Sequence, residues 1–143
     1  MRSWITDAPI DPTAVLDEVG SPADGAVLLF LGTVREENEG RAVSGMRYDA
    51  YVAMAEQVLG EIATEAAQQL GTERVAVVHR IGDLAIGDVS VALAVSAPHR
   101  EPVFIAGRYL IEEIKRRLPV WKHEYYVEGE SRWLAGTVPP GHA

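Results

Sequence analysis

The sequence predicts an α+β protein that has a mixed, largely antiparallel sheet and about three helices. Strand-like and helix-like hydrophobic patterns alternate in the order β-α-β-β-α-β-β-α-β-β. Several strands follow one another with no helix between them, which argues against a doubly wound fold. The length of 143 residues suits one domain, predicted at residues 1–135, followed by a flexible Gly- and Pro-rich tail at residues 136–143.

The first predicted elements are a short strand, a capped helix and a buried strand. The short strand is predicted at residues 4–6. Asp11 is a good N-cap and Pro12 fits the first helical position, so a helix is predicted from there to about Val19. The continuous apolar run at residues 25–34 predicts a buried strand.

The middle of the chain predicts a loop, a strand and a long helix. Residues 36–41 are polar and contain glycine, which is typical of a loop. Residues 43–51 are predicted to form a strand, in which successive side chains point to opposite faces. This places Val43 on the opposite face from Met46. Residues 53–70 have helical periodicity and end at a C-cap glycine. The predicted apolar stripe of this helix contains Met54, Val58, Leu59, Ile62, Ala66 and Leu70.

The last part of the chain predicts four strands and a third helix. The helix is predicted at residues 102–118 and is ended by Pro119. Residues 82–88 are predicted to connect the two strands before this helix. The inward side chains of the helix are predicted to be Phe104, Ile111, Ile114 and Leu118. The strands are predicted at residues 74–81, 89–97, 121–127 and 131–134.

Composition excludes several classes of function. The net charge of −8 argues against general nucleic-acid binding, which requires a basic face. The chain has no cysteine, so disulfides, thiolate metal sites and a cysteine nucleophile are excluded. The four histidines lack metal-ligand spacing, and neither a metal nor a cofactor is predicted. No apolar run has the length of a membrane span and no signal peptide is recognisable, so a cytoplasmic protein is expected.

Positive charge is concentrated around the end of the predicted third helix. The chain has two lysines, Lys115 and Lys122, in a segment at residues 100–122 that has six basic and three acidic residues and is therefore +3. A lysine amine can act as a nucleophile or carry protons when its pKa is lowered, whereas arginine stays charged. If the reversal at Pro119 brings the two amines together, at least one of their pKa values should be lowered. The pattern indicates amine chemistry or binding of a small anion, and leaves open chance placement at a solvated helix end.

Polar residues at the ends of strands are the other candidates. His99 and Arg100 lie where a strand gives way to a helix, a position that favours anion binding. Arg35 follows the strand predicted at residues 25–34. A solvated or locally capping side chain is the alternative for each of them. His79 is interpreted as a hydrogen-bonded structural residue.

Taken together, these segments resemble the large, catalytic subunit of molybdopterin synthase, the MoaE family. The resemblance runs from about Trp4 to Trp133 and implies that family's α+β, hammerhead-type fold. The runs that carry it are FLGTVR at 30–35, YDAY at 48–51, HRIG at 79–82, SAPHR at 96–100 and LIEEIKRRLPVWKHE at 110–124.

The resemblance implies an enzyme that converts cyclic pyranopterin monophosphate into molybdopterin by forming the dithiolene. The implied sulfur donor is the C-terminal thiocarboxylate of a small ubiquitin-like partner subunit that ends in Gly-Gly. The implied assembly is a homodimer of large subunits within a heterotetramer. Neither nucleic acid nor a membrane is an implied partner.

Position by position, the resemblance implies catalytic roles for Lys115 and Lys122. Substrate-binding roles are implied for Thr33, Val34, Arg35, His99, Arg100, Lys115, Lys122, His123 and Glu124. His123 departs from the basic residue common at its position in the family, which predicts a less positive or pH-sensitive pocket. Two other functions stay open: a non-enzymatic module that docks an acidic C-terminal tail, and a different lysine enzyme such as a Schiff-base lyase.

Overall fold

The computed structural model describes residues 1–127 and the strand at residues 131–136. The elements are β1 (Arg2–Thr6), α1 (Pro12–Leu16), β2 (Ala26–Thr33), β3 (Glu37–Asn38), β4 (Arg41–Ala50), α2 (Val52–Leu70), β5 (Val75–Arg80), β6 (Gly82–Ala85), β7 (Val89–Ala97), α3 (Arg100–Arg117), β8 (Val120–Tyr126) and β9 (Ser131–Gly136). Apart from the short strands β3 and β6, this is the predicted order. The predicted tail after Gly136 lies outside the described residues.

The described strands form two sheets. The first has the order β1-β5-β7-β2, and the second has the order β3-β4-β8-β9 with β6 also paired to β4. Strand β1 is parallel to β5, and every other described pair is antiparallel. The prediction of an α+β protein with three helices and mixed, largely antiparallel pairing is therefore confirmed.

The main core lies between the first sheet and the helices α2 and α3. Leu59 and Ile62 from α2, Leu93 from β7 and Leu110 from α3 are all fully buried in it. Burial of each such side chain contributes about 1.5–3 kcal/mol through removal of apolar surface from water. This core fixes α3 against the sheet and so determines where the last turn of α3 points.

The predicted phase of both long helices is wrong at their first turns. Met54 is 55% exposed, and the neighbouring Ala55 is buried in its place. Phe104 is 61% exposed, while the neighbouring Val103 is buried. In each helix a small side chain rather than the large one faces the sheet, because packing distance and not hydrophobicity alone selects the inward residue.

Two further features differ from the prediction. The Asp11 side chain accepts a hydrogen bond from the Thr13 amide as the predicted cap should, but α1 ends at Leu16 and not at Val19. Strand β2 is not fully buried: Val27 is 51% exposed, because β2 lies at the edge of its sheet. Within the described residues, no helix is both long and apolar enough to cross a membrane.

The two short strands replace predicted loops. Residues Glu37–Asn38 pair with Arg41 and Ala42 in a tight hairpin, which turns through Glu39 (φ 51°) and Gly40 (φ 79°). Gly82–Ala85, inside the predicted connection, pairs with β4. Both strands are added to β4 by tertiary pairing, which local polarity in the sequence does not reveal.

Candidate functional site

A cavity of about 380 Å³ lies where the end of α3 meets both sheets. Its walls come from β2, the β3–β4 hairpin, β5, β7, the last turns of α3 and β8. This volume falls in the range of small-molecule sites, which are mostly apolar clefts with a few fixed polar groups.

The two lysines enter this cavity from successive elements. Ile111, Ile114, Lys115 and Leu118 face it with the spacing i, i+3, i+4 and i+7, so they form one face of the end of α3. After Pro119 the chain becomes β8, whose alternate residues Val120, Lys122 and Glu124 face the cavity. The structure thus brings Lys115, Lys122 and Glu124 together, as expected from sequence.

The end of β2 supplies two more of the predicted residues. Thr33 and Arg35 line the cavity, after an irregularity in the β2–β7 register at Thr33. Val34 points elsewhere and is buried in a separate small cluster with Met46 and Leu84. The Val34 backbone amide donates to Asp88 and its carbonyl accepts from Gly87, so both groups are hydrogen-bonded within the protein.

Strand β4 reaches the cavity through a bulge. The β4–β8 register shifts between Val43 and Gly45. Because a bulge interrupts the two-residue period, Val43 lines the same cavity as Met46 and Tyr48. The prediction that Val43 and Met46 lie on opposite faces is therefore wrong.

The three cations of the cavity have no ion-pair partners within the described part of the chain. Neither Arg35, Lys115 nor Lys122 lies within ion-pair distance of a described carboxylate. Among the described residues, the arginines that form ion pairs include Arg2, Arg47, Arg74, Arg80, Arg108, Arg116 and Arg117. Three unpaired cations that share one cavity are suited to bind an anion.

The pKa of Lys122 is lowered from its ordinary value. Burial is the main cause, Glu124 opposes it, and the charges of Lys115 and Arg35 lower the pKa further. The sequence-based expectation that one amine would have a lowered pKa is confirmed in direction. The leading cause is burial and not the second lysine.

Glu124 presents one unsatisfied carboxylate oxygen. Its side chain is 1% exposed, and its Oε1 accepts a hydrogen bond of 2.9 Å from Asn38 Nδ2. Its Oε2 is buried and has no hydrogen-bond partner among the described residues. A buried acceptor without a partner is costly, so this oxygen is a position for a hydrogen-bond donor on a ligand. Asn38 was not a candidate from sequence because its segment was predicted as a loop.

The cavity floor contains a buried histidine beside a tyrosine. His79 Nδ1 lies 2.9 Å from the carbonyl oxygen of Arg80, and burial lowers the His79 pKa to about 4. The Tyr48 ring meets the His79 ring edge-on, with centroids 4.9 Å apart. The Tyr48 hydroxyl is hydrogen-bonded to Ser90, and burial raises the Tyr48 pKa. The hydrogen bond expected for His79 is present, but sequence analysis did not indicate that His79 lines the site.

Besides Val34, three predicted residues do not line the cavity of their own chain. His99 is the N-cap of α3 and Arg100 its first residue, fifteen positions before Lys115. At 1.5 Å per residue this separation is roughly 22 Å along the helix. His123 lies on the other face of β8 from Lys122, and its ring centroid is 5.2 Å from that of Tyr125.

The arrangement suits a ligand that is anionic at one end and carries hydrogen-bond donors at the other. Cations surround one part of the cavity, whereas Glu124 and His79 lie deeper among apolar residues. In the described part of the chain, no group of three or more His, Asp or Glu side chains is placed to hold a metal ion.

Comparison with known proteins identifies the relatives of this chain. The sequence model of the family described as MoaE protein matches residues 5–117. The molybdopterin synthase catalytic subunit of Aspergillus clavatus is 44% identical over 129 residues, which is 90% of this chain and 65% of that protein. This chain therefore spans less than two thirds of the length of that relative.

Solved structures share the fold. The crystal structure of molybdopterin synthase from Staphylococcus aureus has a TM-score of 0.85 at 36% identity, covering 93% of this chain and 96% of that chain. A complex of subunits 1 and 2 of molybdopterin-converting factor from Helicobacter pylori has a TM-score of 0.73, covering 93% of this chain and 88% of that chain. Its 22% identity bears on the fold alone.

Proposed function

Since this chain belongs to the MoaE protein family, we propose that it is the catalytic subunit of a molybdopterin synthase. In this proposal it transfers sulfur from the C-terminal thiocarboxylate of a small ubiquitin-like subunit to cyclic pyranopterin monophosphate. The product is the dithiolene of molybdopterin, and the proposed location is the cytoplasm. The observation that carries the proposal is the convergence in one cavity of three cations that have no ion-pair partner among the described residues: Arg35, Lys115 and Lys122.

The cations supply the charge that both reactants require. The substrate has a cyclic phosphate and the sulfur donor ends in a thiocarboxylate, so two anions must approach each other. Arg35 keeps its charge at any working pH and offers a planar fork of donors suited to phosphate. Lys115 lies on the exposed last turn of α3, where its amine can hold the incoming tail.

The lowered pKa of Lys122 suits it to proton transfer. The thiocarboxylate sulfur attacks a side-chain carbon of the substrate and forms a carbon–sulfur bond, while a carbon–oxygen bond of that carbon breaks and the departing oxygen takes a proton. The two molecules are then linked through a thioester. Water then cleaves the thioester, which leaves the sulfur on the substrate and a carboxylate on the small subunit. A second thiocarboxylate repeats these steps. Each hydrolysis requires protons to move, and an amine with a lowered pKa exchanges them nearer neutral pH.

A homodimer within a heterotetramer is the proposed assembly. His99 and Arg100 cannot reach the cavity of their own chain, but a second copy could place them at its cavity. The first turns of α3 support this arrangement, because Phe104 and Ile105 beside these residues are 61% and 50% exposed. Apolar side chains of this size are typical of the core of a protein interface.

Reconstitution tests the proposed function. The protein is mixed with a thiocarboxylated small subunit and cyclic pyranopterin monophosphate, and dithiolene formation is measured. We expect product from the unmodified protein and none from Lys115→Ala. The matched control is Arg108→Ala, which removes an exposed cation of the same helix that is paired with Glu112; it should retain activity.

The outcome also separates the alternatives. Binding of the small subunit's tail without any product would support the non-enzymatic docking module instead. Trapping of the chain by borohydride with a carbonyl substrate would support a Schiff-base enzyme. Full activity of a folded Lys115→Ala protein would refute the role proposed for Lys115.

A further inference from the structure

We infer that His79 is a substrate-binding residue, whose Nε2 atom accepts a hydrogen bond from an N–H group of the substrate's heterocycle. This inference rests on the proposed function for the identity of the substrate. It adds to that proposal a specific neutral acceptor on the cavity floor, separate from the cations that bind the anionic groups.

The hydrogen bond at Nδ1 fixes which nitrogen is the acceptor. Nδ1 lies 2.9 Å from the Arg80 carbonyl oxygen, and a carbonyl oxygen can only accept. Nδ1 must therefore carry the proton. In a neutral imidazole the other nitrogen, Nε2, then has a bare lone pair. Nε2 is also the ring nitrogen farther from the His79 backbone.

The surroundings keep this imidazole neutral. The side chain is buried, and the positive charge of Lys115 further disfavours a second proton. At neutral pH the ring therefore cannot donate through Nε2. The described residues provide no hydrogen-bond donor to Nε2, although His79 lines the cavity.

Glu124 supplies a second acceptor to the same cavity. Glu124 Oε2 is buried with no described partner. A floor made of acceptors is complementary to a ring edge that carries N–H and amino groups, as a reduced pterin does.

A purely structural histidine predicts a different set of contacts. Such a residue would have both ring nitrogens hydrogen-bonded within the protein, since buried polar groups are usually paired. His79 has one of the two. The second bond is available to a ligand, and an occupant without a donor at this point would leave Nε2 desolvated.

Nitrogen NMR of the unmodified protein tests the inference directly. The protein is labelled with 15N-histidine, and the His79 resonances are assigned by comparison with a His79→Gln variant. Without substrate, Nε2 should have the shift of an unprotonated nitrogen at pH 7. Addition of cyclic pyranopterin monophosphate should move this resonance in the direction of a hydrogen-bonded acceptor, while inorganic phosphate alone should leave it in place.

Two variants provide an independent measurement. His79→Phe retains a ring against Tyr48 and removes the acceptor, and His79→Gln retains an acceptor oxygen. We expect His79→Phe to bind the pterin substrate about fivefold more weakly, which is the effect of one ordinary hydrogen bond, and His79→Gln to bind it nearly as well as the unmodified protein. Both variants should bind inorganic phosphate with the affinity of the unmodified protein, because the three cations are intact.

The result can fail in two distinguishable ways. If the substrate is converted normally but the Nε2 resonance does not move, the inference about His79 is wrong and the proposed function stands. If the unmodified protein neither binds nor converts the substrate, the proposed function itself is wrong. Should the Phe variant not fold, the NMR measurement on the unmodified protein decides the matter.

Discussion

Replacement of His79 by Phe should make the stability of this protein less sensitive to acid. The His79 pKa is about 4 in the folded protein, compared with an ordinary value of 6.5. Between these values the unfolded chain binds a proton that the folded protein does not bind. Stability therefore falls as the pH decreases from 6.5 towards 4, and is fully present above 6.5.

The difference of 2.5 pKa units sets the size of the effect. At about 1.4 kcal/mol per unit, the loss of unfolding free energy between pH 7 and pH 4 is about 3 kcal/mol after allowance for partial protonation at the lower limit. This is a large part of the 5–15 kcal/mol that is typical of a domain. In His79→Phe, position 79 binds no proton and should not contribute to the loss of unfolding free energy between pH 7 and pH 4.

Urea denaturation at pH 7, 5.5 and 4 measures this difference. Carboxylates also titrate in this range, but they are common to both proteins, so the comparison isolates His79. The unfolding free energy of the unmodified protein minus that of His79→Phe should be about 3 kcal/mol larger at pH 7 than at pH 4. Parallel pH profiles would show that His79 has the same pKa in the folded and unfolded states, and would refute the claim that burial holds its imidazole neutral.

Other residues give further predictions. The affinity of the protein for inorganic phosphate, measured by calorimetry from pH 8 to 10, should fall with rising pH, because Lys122 has a lowered pKa and loses its proton. Lys122→Arg should remove most of this fall, since arginine stays charged. If the variant shows the same pH profile as the unmodified protein, Lys122 is not a phosphate contact. Gly25→Ala should lower stability by about 1–3 kcal/mol, because the new Cβ would lie 2.7 Å from the Pro98 carbonyl oxygen. Gly60→Ala, in the open interior of α2, should instead raise stability by up to about 1 kcal/mol. Thermal unfolding measures the change in stability in each glycine variant. An equal change in both variants would contradict the close contact described at Gly25.

The sequence was most informative where chemistry depends on neighbours along the chain. The spacing of Lys115 and Lys122 across a proline break placed both amines at one site, because a helix end and the next strand share a corner. The position of Arg35 after a strand made it a candidate, and the family resemblance implied its binding role. The two lysines could be placed together because α3 and β8 are consecutive elements.

The residues that sequence analysis missed depend on pairing between distant strands. Asn38 contacts Glu124 because its segment forms a hairpin with β4 and β4 in turn pairs with the distant strand β8. Val43 faces the cavity only because of a bulge, and bulges have no reliable signal in a single sequence. His79 reaches the site because β5 pairs with β7, where His79 lies opposite the cavity-lining Val91. Its own neighbours in the sequence indicate an ordinary strand end.

The central claim is that both lysines belong to one anion-binding cavity, and labelling the lysines tests it most directly. The chain has two lysines, so 15N-lysine labelling yields two side-chain signals, which Lys115→Arg and Lys122→Arg assign. Addition of cyclic pyranopterin monophosphate should move both signals with the same dissociation constant. Movement of neither signal, or of one alone, would contradict the shared site.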